Sequence, residues 1–307
     1  MQQFFFTSLQ FLKFYWFADT RYRIHSPFVY EFTQEVLEDD RKFYVFKQAE
    51  ILRGNLLLNK NTIEVTDFGA GSHVDGVKKQ RVISNIAKSA LSPAFQCRWL
   101  FKIVQLYAPK NLIELGTSLG ISTLYLNEAA PQNAKLFTLE GAEGISKLAQ
   151  KVFEVYYTPN KIEGFERYDT KLLKPETQIQ TITQGNKIKN INLVVGRFEE
   201  TFIPTLNLMQ EVDLAFLDGN HRYEATIDYF EKILPFTNVN SVLIFDDIYW
   251  SEEMKRAWEN IKNHPSVTLT MDLFWCGLVF FRKENAEKQH FKIIKAGWKP
   301  FAIGFLR

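Results

Sequence analysis

Residues 111–120 read NLIELGTSLG, and ISTLYLNEAA carries the chain on to residue 130. Leu112, Ile113 and Leu115 form an apolar run of the length of a buried parallel strand. Gly116 and Gly120 bracket a tight turn. Ile121, Leu124, Tyr125 and Leu126 then begin a helical pattern, with Thr117 or Ser118 able to cap its first amides. Strand, glycine turn and helix together form the phosphate- or nucleoside-binding corner of a doubly wound α/β sheet. The spacing narrows the choice. A G-x-G-x-x-G fingerprint needs a middle glycine to admit a pyrophosphate, and Ser118 stands in that place. A phosphate loop needs Lys and then Ser or Thr after its last glycine, where this chain has Ile121 and Ser122.

Outward from this stretch the pattern alternates. Strands are expected at 111–115, 135–140, 191–196, 212–218 and 241–246, with helices at about 121–130, 143–156, 198–208, 222–234 and 252–263. Two further strands, 267–272 and 276–283, follow without a helix between them. Alternating βα units imply a parallel sheet, and the adjacent last pair implies an antiparallel hairpin at one edge. Residues 1–108 read as a mostly helical N-terminal extension, and 109–307 as the α/β domain. Within it, 157–190 exceeds any short connection and reads as an insertion. Ser26-Pro27 starts a helix reaching about Glu38. Residues 43–58 read as another helix, broken at Gly54-Asn55. Residues 82–91 and 94–107 have helical apolar spacing, and Pro109 closes the second just before the organising strand.

Composition sets the bounds. The 307 residues are 46% hydrophobic and 15% aromatic, enough for a large core. A net charge of +2 gives no general case for nucleic acid. Cys97 and Cys276 lie far apart without metal spacing, which reads as a reduced, cytoplasmic location. The Phe-rich stretch at 4–17 is too short to span a bilayer. Its apolar residues run nearly all round a helix, so it reads as a core or homodimer-interface helix, with peripheral membrane contact as the alternative. A second glycine-rich stretch, TDFGAGS at 66–72, is followed by a polar segment with Lys78, Lys79 and Arg81. It reads as a surface loop, or as a loop folding over the site.

Strand ends supply the chemistry. Glu140 closes the second strand, where a carboxylate can accept two ribose hydroxyls. Asp218 ends the fourth strand in VDLAFLDGNHRY, and Asp246 and Asp247 end the fifth in SVLIFDDIYW. Three carboxylates gathered at one crevice repel unless protonated or neutralised. A hard divalent cation such as Mg²⁺ would neutralise them; otherwise one or two of them cap helices or bind loop amides. His221, three residues after Asp218, can accept a proton at neutral pH. Tyr249 and Trp250 would wall a pocket beside the acidic pair.

The E-x-G-x-x-x-G turn, Glu140 and the DGNH loop as a set resemble the class I S-adenosylmethionine (SAM)-dependent methyltransferases. The likeness is to cation-dependent small-molecule O-methyltransferases, both the catechol and caffeoyl-CoA type and the sugar- or antibiotic-modifying relatives with a D-G-x-H loop. It covers roughly residues 85–283. The resemblance implies SAM bound by Glu114, Gly116, Thr117, Ser118, Gly120, Glu140, Gly196, Arg197, Phe198 and Asp218. Residues 89–93 would close over it. The resemblance further implies Mg²⁺ on Asp218, Asp246 and Asp247, and His221 with Asp218 as catalytic residues acting on a hydroxyl of a small-molecule acceptor. The first group has Lys where His221 stands and Asp-Asn where Asp246-Asp247 stand, so this chain sits nearer the second group. Two other readings remain: an NAD-type oxidoreductase, against which Ser118 argues, and a catalytically silent SAM-fold binding protein. The NPPY or DPPY tetrapeptide of amino-methylating nucleic-acid enzymes is absent.

Overall fold

The apolar run at 111–115 is a strand, and the chain around it alternates as its periodicity requires. The computed structural model describes residues 2–66, 78–157, 179–184, 187–284 and 287–300. Before the organising strand come α1 (Gln2–Phe17), α2 (Pro27–Phe32), α3 (Tyr44–Leu58), β1 (Thr62–Thr66), β2 (Lys78–Val82), α4 (Ile83–Ala90) and α5 (Ala94–Tyr107). Then follow β3 (Asn111–Leu115), α6 (Ile121–Ala129), β4 (Lys135–Glu140), α7 (Glu143–Tyr157), β5 (Ile179–Gln184), β6 (Lys187–Val195) and α8 (Phe198–Met209). The chain ends with β7 (Val212–Leu217), α9 (Tyr223–Ile233), β8 (Thr237–Asp246), α10 (Glu252–Asn263), β9 (Leu269–Asp272), β10 (Cys276–Phe280) and β11 (Gln289–Lys292). The class is the expected one: α/β, Rossmann-like and mostly parallel, with an antiparallel terminal hairpin and helices ahead of it.

The chain forms two compact units. One holds Met1–Arg41, Lys102–Leu112 and Leu206–Arg307. Its strand order is β11-β9-β10-β8-β7. β7 and β8 are parallel, and β10 runs antiparallel to both β8 and β9. Phe216, Phe230, Phe245 and Trp258 are fully buried here, each contributing roughly 1.5–3 kcal/mol or more. Gly277 on β10 lets the Trp258 ring lie flat on the strand; a Cβ there would meet the ring at 2.5 Å.

The other unit holds Lys42–Phe101 and Ile113–Thr205. Its strand order is β3-β4-β6-β5, with β4 and β6 parallel and β5 antiparallel to β6. β5 and the start of β6 fall within the stretch read as an insertion, while 158–178 lie outside the described residues. Residues 67–72 of the second glycine-rich stretch also lie outside them. The polar segment after that stretch is not a loop at 78–82. It pairs antiparallel with β1, from Thr62↔Val82 to Thr66↔Lys78. Backbone pairing needs no apolar side chains, so a strand of Lys, Gln and Arg escapes a reading based on hydrophobic alternation. The expected break at Gly54 is likewise absent: α3 runs through it. A mid-helix glycine costs about 1 kcal/mol, and the burial of Leu52 and Leu56 around it outweighs that.

Candidate functional site

In the second unit the turn after β3 is built by three left-handed residues: Gly116 (φ 97°), Ser118 (φ 48°) and Gly120 (φ 78°). The amides of Gly116 and Thr117 both donate to the Leu139 carbonyl, at 2.9 and 3.0 Å, which ties the turn to the end of β4. Gly120 itself takes the N-cap position of α6 without a side-chain cap. The expected capping by Thr117 or Ser118 does not occur. Thr117 is buried and its hydroxyl pairs with Thr138 at 2.6 Å, because a threonine pinned to β4 by its own amide cannot also turn towards the helix.

Glu114 is fully buried and accepts hydroxyl hydrogen bonds from Ser122 (2.6 Å), Thr123 (2.5 Å) and Thr138 (2.7 Å). A buried carboxylate needs such donors. Glu140, at the end of β4, accepts the Ser118 amide at 2.9 Å on one oxygen and the Ala142 amide at 2.9 Å on the other. Burial pushes its carboxyl up to about 7, against the pull of the Ala142, Ser118 and Gly141 amides. The Ser118, Ala142 and Gly141 amides take three of the four lone-pair sites, which leaves one for a ligand hydroxyl. Gly196 (φ 145°) donates its amide to the Glu140 carbonyl at 3.0 Å, and a Cβ on it would meet Thr201 at 2.9 Å. Arg197 follows, and Phe198 opens α8. The buried Ser118 Oγ has no hydrogen-bond partner among the described residues. An unpaired hydroxyl beside a carboxyl with a lone-pair site left over fits a polyhydroxyl ligand such as the SAM ribose.

In the first unit a second cluster forms at the ends of β7 and β8. Asp218 follows β7, and a left-handed Asn220 (φ 48°) turns His221 back towards it. His221 Nε2 lies 3.4 Å from Asp218 Oδ1. Burial alone would depress the imidazole, but the hydrogen bond and charge of Asp218, with the charge of Asp247, raise it above the usual histidine value. Asp246 closes β8, and burial and then the Asp218 and Asp247 charges hold its carboxyl well above the usual range. Asp247 (φ 52°) donates its amide to the Trp275 carbonyl at 2.7 Å. Burial pushes its carboxyl up to about 6, with His221 pulling down and Asp218 pushing up. Tyr249 is buried, donating to Asp272 at 2.6 Å and stacking on Phe274, whereas Trp250 is exposed.

Three carboxylates and an imidazole are therefore neighbours, as the sequence reading expected. However, among the described residues no three His, Cys, Asp or Glu side chains stand where they could share one metal ion. The oxygen donors suit Mg²⁺ chemically, but this arrangement does not fit it. Burial and mutual repulsion instead raise the Asp246 and Asp247 carboxyls, and His221 stands against Asp218. Sequence reading missed the Ser122, Thr123 and Thr138 support of Glu114, and the Asp272 partner of Tyr249. Ser122-Thr123, in the first turn of the helix after an acid-bearing strand, was the available signal for the first; for Asp272 there was none.

A glycine turn with a strand-end carboxylate beside it, on a Rossmann-like sheet, resembles the arrangement of the class I SAM-dependent methyltransferases. Residues 113–248 match the family described as a methyltransferase domain. A catechol O-methyltransferase of Niastella koreensis is 41% identical over 56 residues, which are 18% of this chain; the match spans 25% of that protein's length. Among solved structures, the O-methyltransferase from Bacillus cereus in complex with SAH is 16% identical, covering 78% of this chain and 92% of that one (TM-score 0.47). The O-methyltransferase TomG from Streptomyces achromogenes, involved in tomaymycin synthesis and in complex with SAM, is 14% identical, covering 82% and 94% (TM-score 0.49).

Proposed function

We propose that this protein transfers the methyl group of SAM to a hydroxyl oxygen of a small-molecule acceptor. The pairing of His221 with Asp218 carries the oxygen assignment, since a hydroxyl needs a base before it can attack. Bound SAM supplies an electrophilic methyl group. Glu140 and the Ser118 hydroxyl would hold its ribose, and the turn from Gly116 to Gly120 would pack against the remainder of the ligand. With Nε2–H directed at Asp218, His221 presents the Nδ1 lone pair to the acceptor hydroxyl and removes its proton there. Asp218 and Asp247 stabilise the imidazolium that results. The rest of the rate comes from holding the attacking oxygen in line.

Magnesium assistance, which the arrangement of the three carboxylates does not fit, is the outcome that would overturn the metal-free reading. The test is a calorimetric titration with SAM together with a transfer assay, each in Mg²⁺ and in EDTA. Catechol is the first acceptor to try, after the name of the Niastella relative. We expect micromolar SAM binding, an O-methylated product, and the same rate in both conditions. A rate lost in EDTA and absent in Asp246→Asn would favour the metal-assisted reading. Absence of SAM binding would sink both.

A further inference from the structure

Helix α1 has apolar residues on two opposite faces. On the inner face, Phe11 and Phe14 meet Phe274 at centroid distances of 4.9 and 5.5 Å, and Phe11 also meets Trp275 at 6.0 Å. On the other face Phe5, Leu9, Leu12 and Trp16 follow at spacings of four, three and four, the period that aligns residues along a helix. They are 73, 41, 65 and 78% exposed. Single exposed hydrophobics are ordinary, but a contiguous stripe is not. The rim is basic. Lys13 is exposed on the helix itself, which holds no acid. Arg21 and Arg23 follow it, and Lys299 donates to the Trp16 and Ala18 carbonyls at 3.0 and 2.7 Å. Asp19 is the lone acid among the first 25 residues, and it sits 3.5 Å from Arg23.

We propose that α1 docks flat on an anionic lipid bilayer, with Phe5, Leu9, Leu12 and Trp16 among the acyl chains and Lys13, Arg21 and Arg23 on the phosphates. Charge complementarity favours this over a second copy, because a two-fold pairing through this stripe would set basic rim against basic rim. The area agrees: four side chains at these exposures offer on the order of 500 Å², against about 800 Å² per partner in a standard interface. Among the described residues no helix is long and apolar enough to cross a membrane, so the contact is interfacial. It reaches towards the acidic cluster. Gln3 Nε2 donates to the carbonyl of the exposed Trp250 at 3.2 Å, and the Trp250 amide donates to the Asp247 carbonyl at 2.8 Å.

The proposal does not depend on methyl transfer, and its test reads binding alone. The full chain is sedimented with vesicles of phosphatidylcholine, and with vesicles containing roughly a quarter phosphatidylglycerol. The expected result is about tenfold or greater preference for the anionic vesicles, weakening with salt, and about tenfold loss in Leu12→Ser/Trp16→Ser. A circular dichroism spectrum unchanged in that variant confirms its fold. Binding to neither vesicle overturns the proposal, as does equal binding by the variant. Sedimentation equilibrium supplies the remaining outcome: a stable dimer that the variant converts to monomer, without vesicle binding, would give the stripe to a second copy instead.

Discussion

His221 is where residue chemistry is most exposed to test. Its raised pKa, set by Asp218 and Asp247 against burial, puts the acid limb of kcat/KM above the ordinary histidine range, because only the unprotonated ring can take a proton. Asp218→Asn should move that limb to lower pH, and His221→Ala should cut kcat by about 10²–10⁴-fold with SAM affinity kept. Asp247 gives a stability prediction. Its carboxyl titrates at about 6 in the fold and at an ordinary value of 3.8 unfolded. The folded state holds its proton more tightly, so this stabilisation is full below 3.8 and is lost as pH rises through 6. Asp247→Asn should therefore gain up to about 3 kcal/mol at pH 8 and nothing below 3.8, read by urea unfolding. An equal gain at both would mean altered packing. Glu140, Asp218 and Asp246 were legible because strand ends can be read locally. Thr138 and Asp272 were not, since their partners lie 24 and 23 positions away on other elements.

At the scale of elements, two glycines make a matched pair. Gly144 sits in α7 where a Cβ would fall on the Glu64 carbonyl oxygen of β1, so backbone faces backbone with no flexible side chain to yield. Gly144→Ala should cost on the order of 2–4 kcal/mol. Gly54, mid-helix in α3, leaves open space within 4 Å of where an alanine methyl would stand. Gly54→Ala should stabilise by about 0.4–1 kcal/mol. Thermal unfolding of both checks the close approach of α7 to β1, and a tolerated Gly144→Ala would refute it. Seven of the nine described strands from 111 onwards were legible because buried strands carry apolar runs; β5 and β11, at the ends of the strand order, were not. The β1–β2 hairpin was not, because Lys78–Val82 is a strand through its partner's backbone and not through its own pattern.

For the whole molecule, a ligand that binds only the folded chain stabilises all of it. SAM at about 100 times its Kd should add about 2.7 kcal/mol, a rise of several degrees in Tm. Glu140→Ala should abolish most of that rise at the same SAM concentration. A full rise in Glu140→Ala would remove the ribose role from this residue. The sequence by itself determined the order and type of the main elements, the glycine turn between Leu115 and Ile121, and the placing of carboxylates at strand ends. Periodicity, glycine spacing and strand length are local properties of the chain, which is why they could be read there. Only the tertiary structure decided that Glu114 is held by three hydroxyls, that Lys78–Val82 pairs as a strand with β1, and that α1 keeps an apolar face outward. Each of these depends on which elements pack together and on how much water remains between them, and neither is written in any one stretch of sequence.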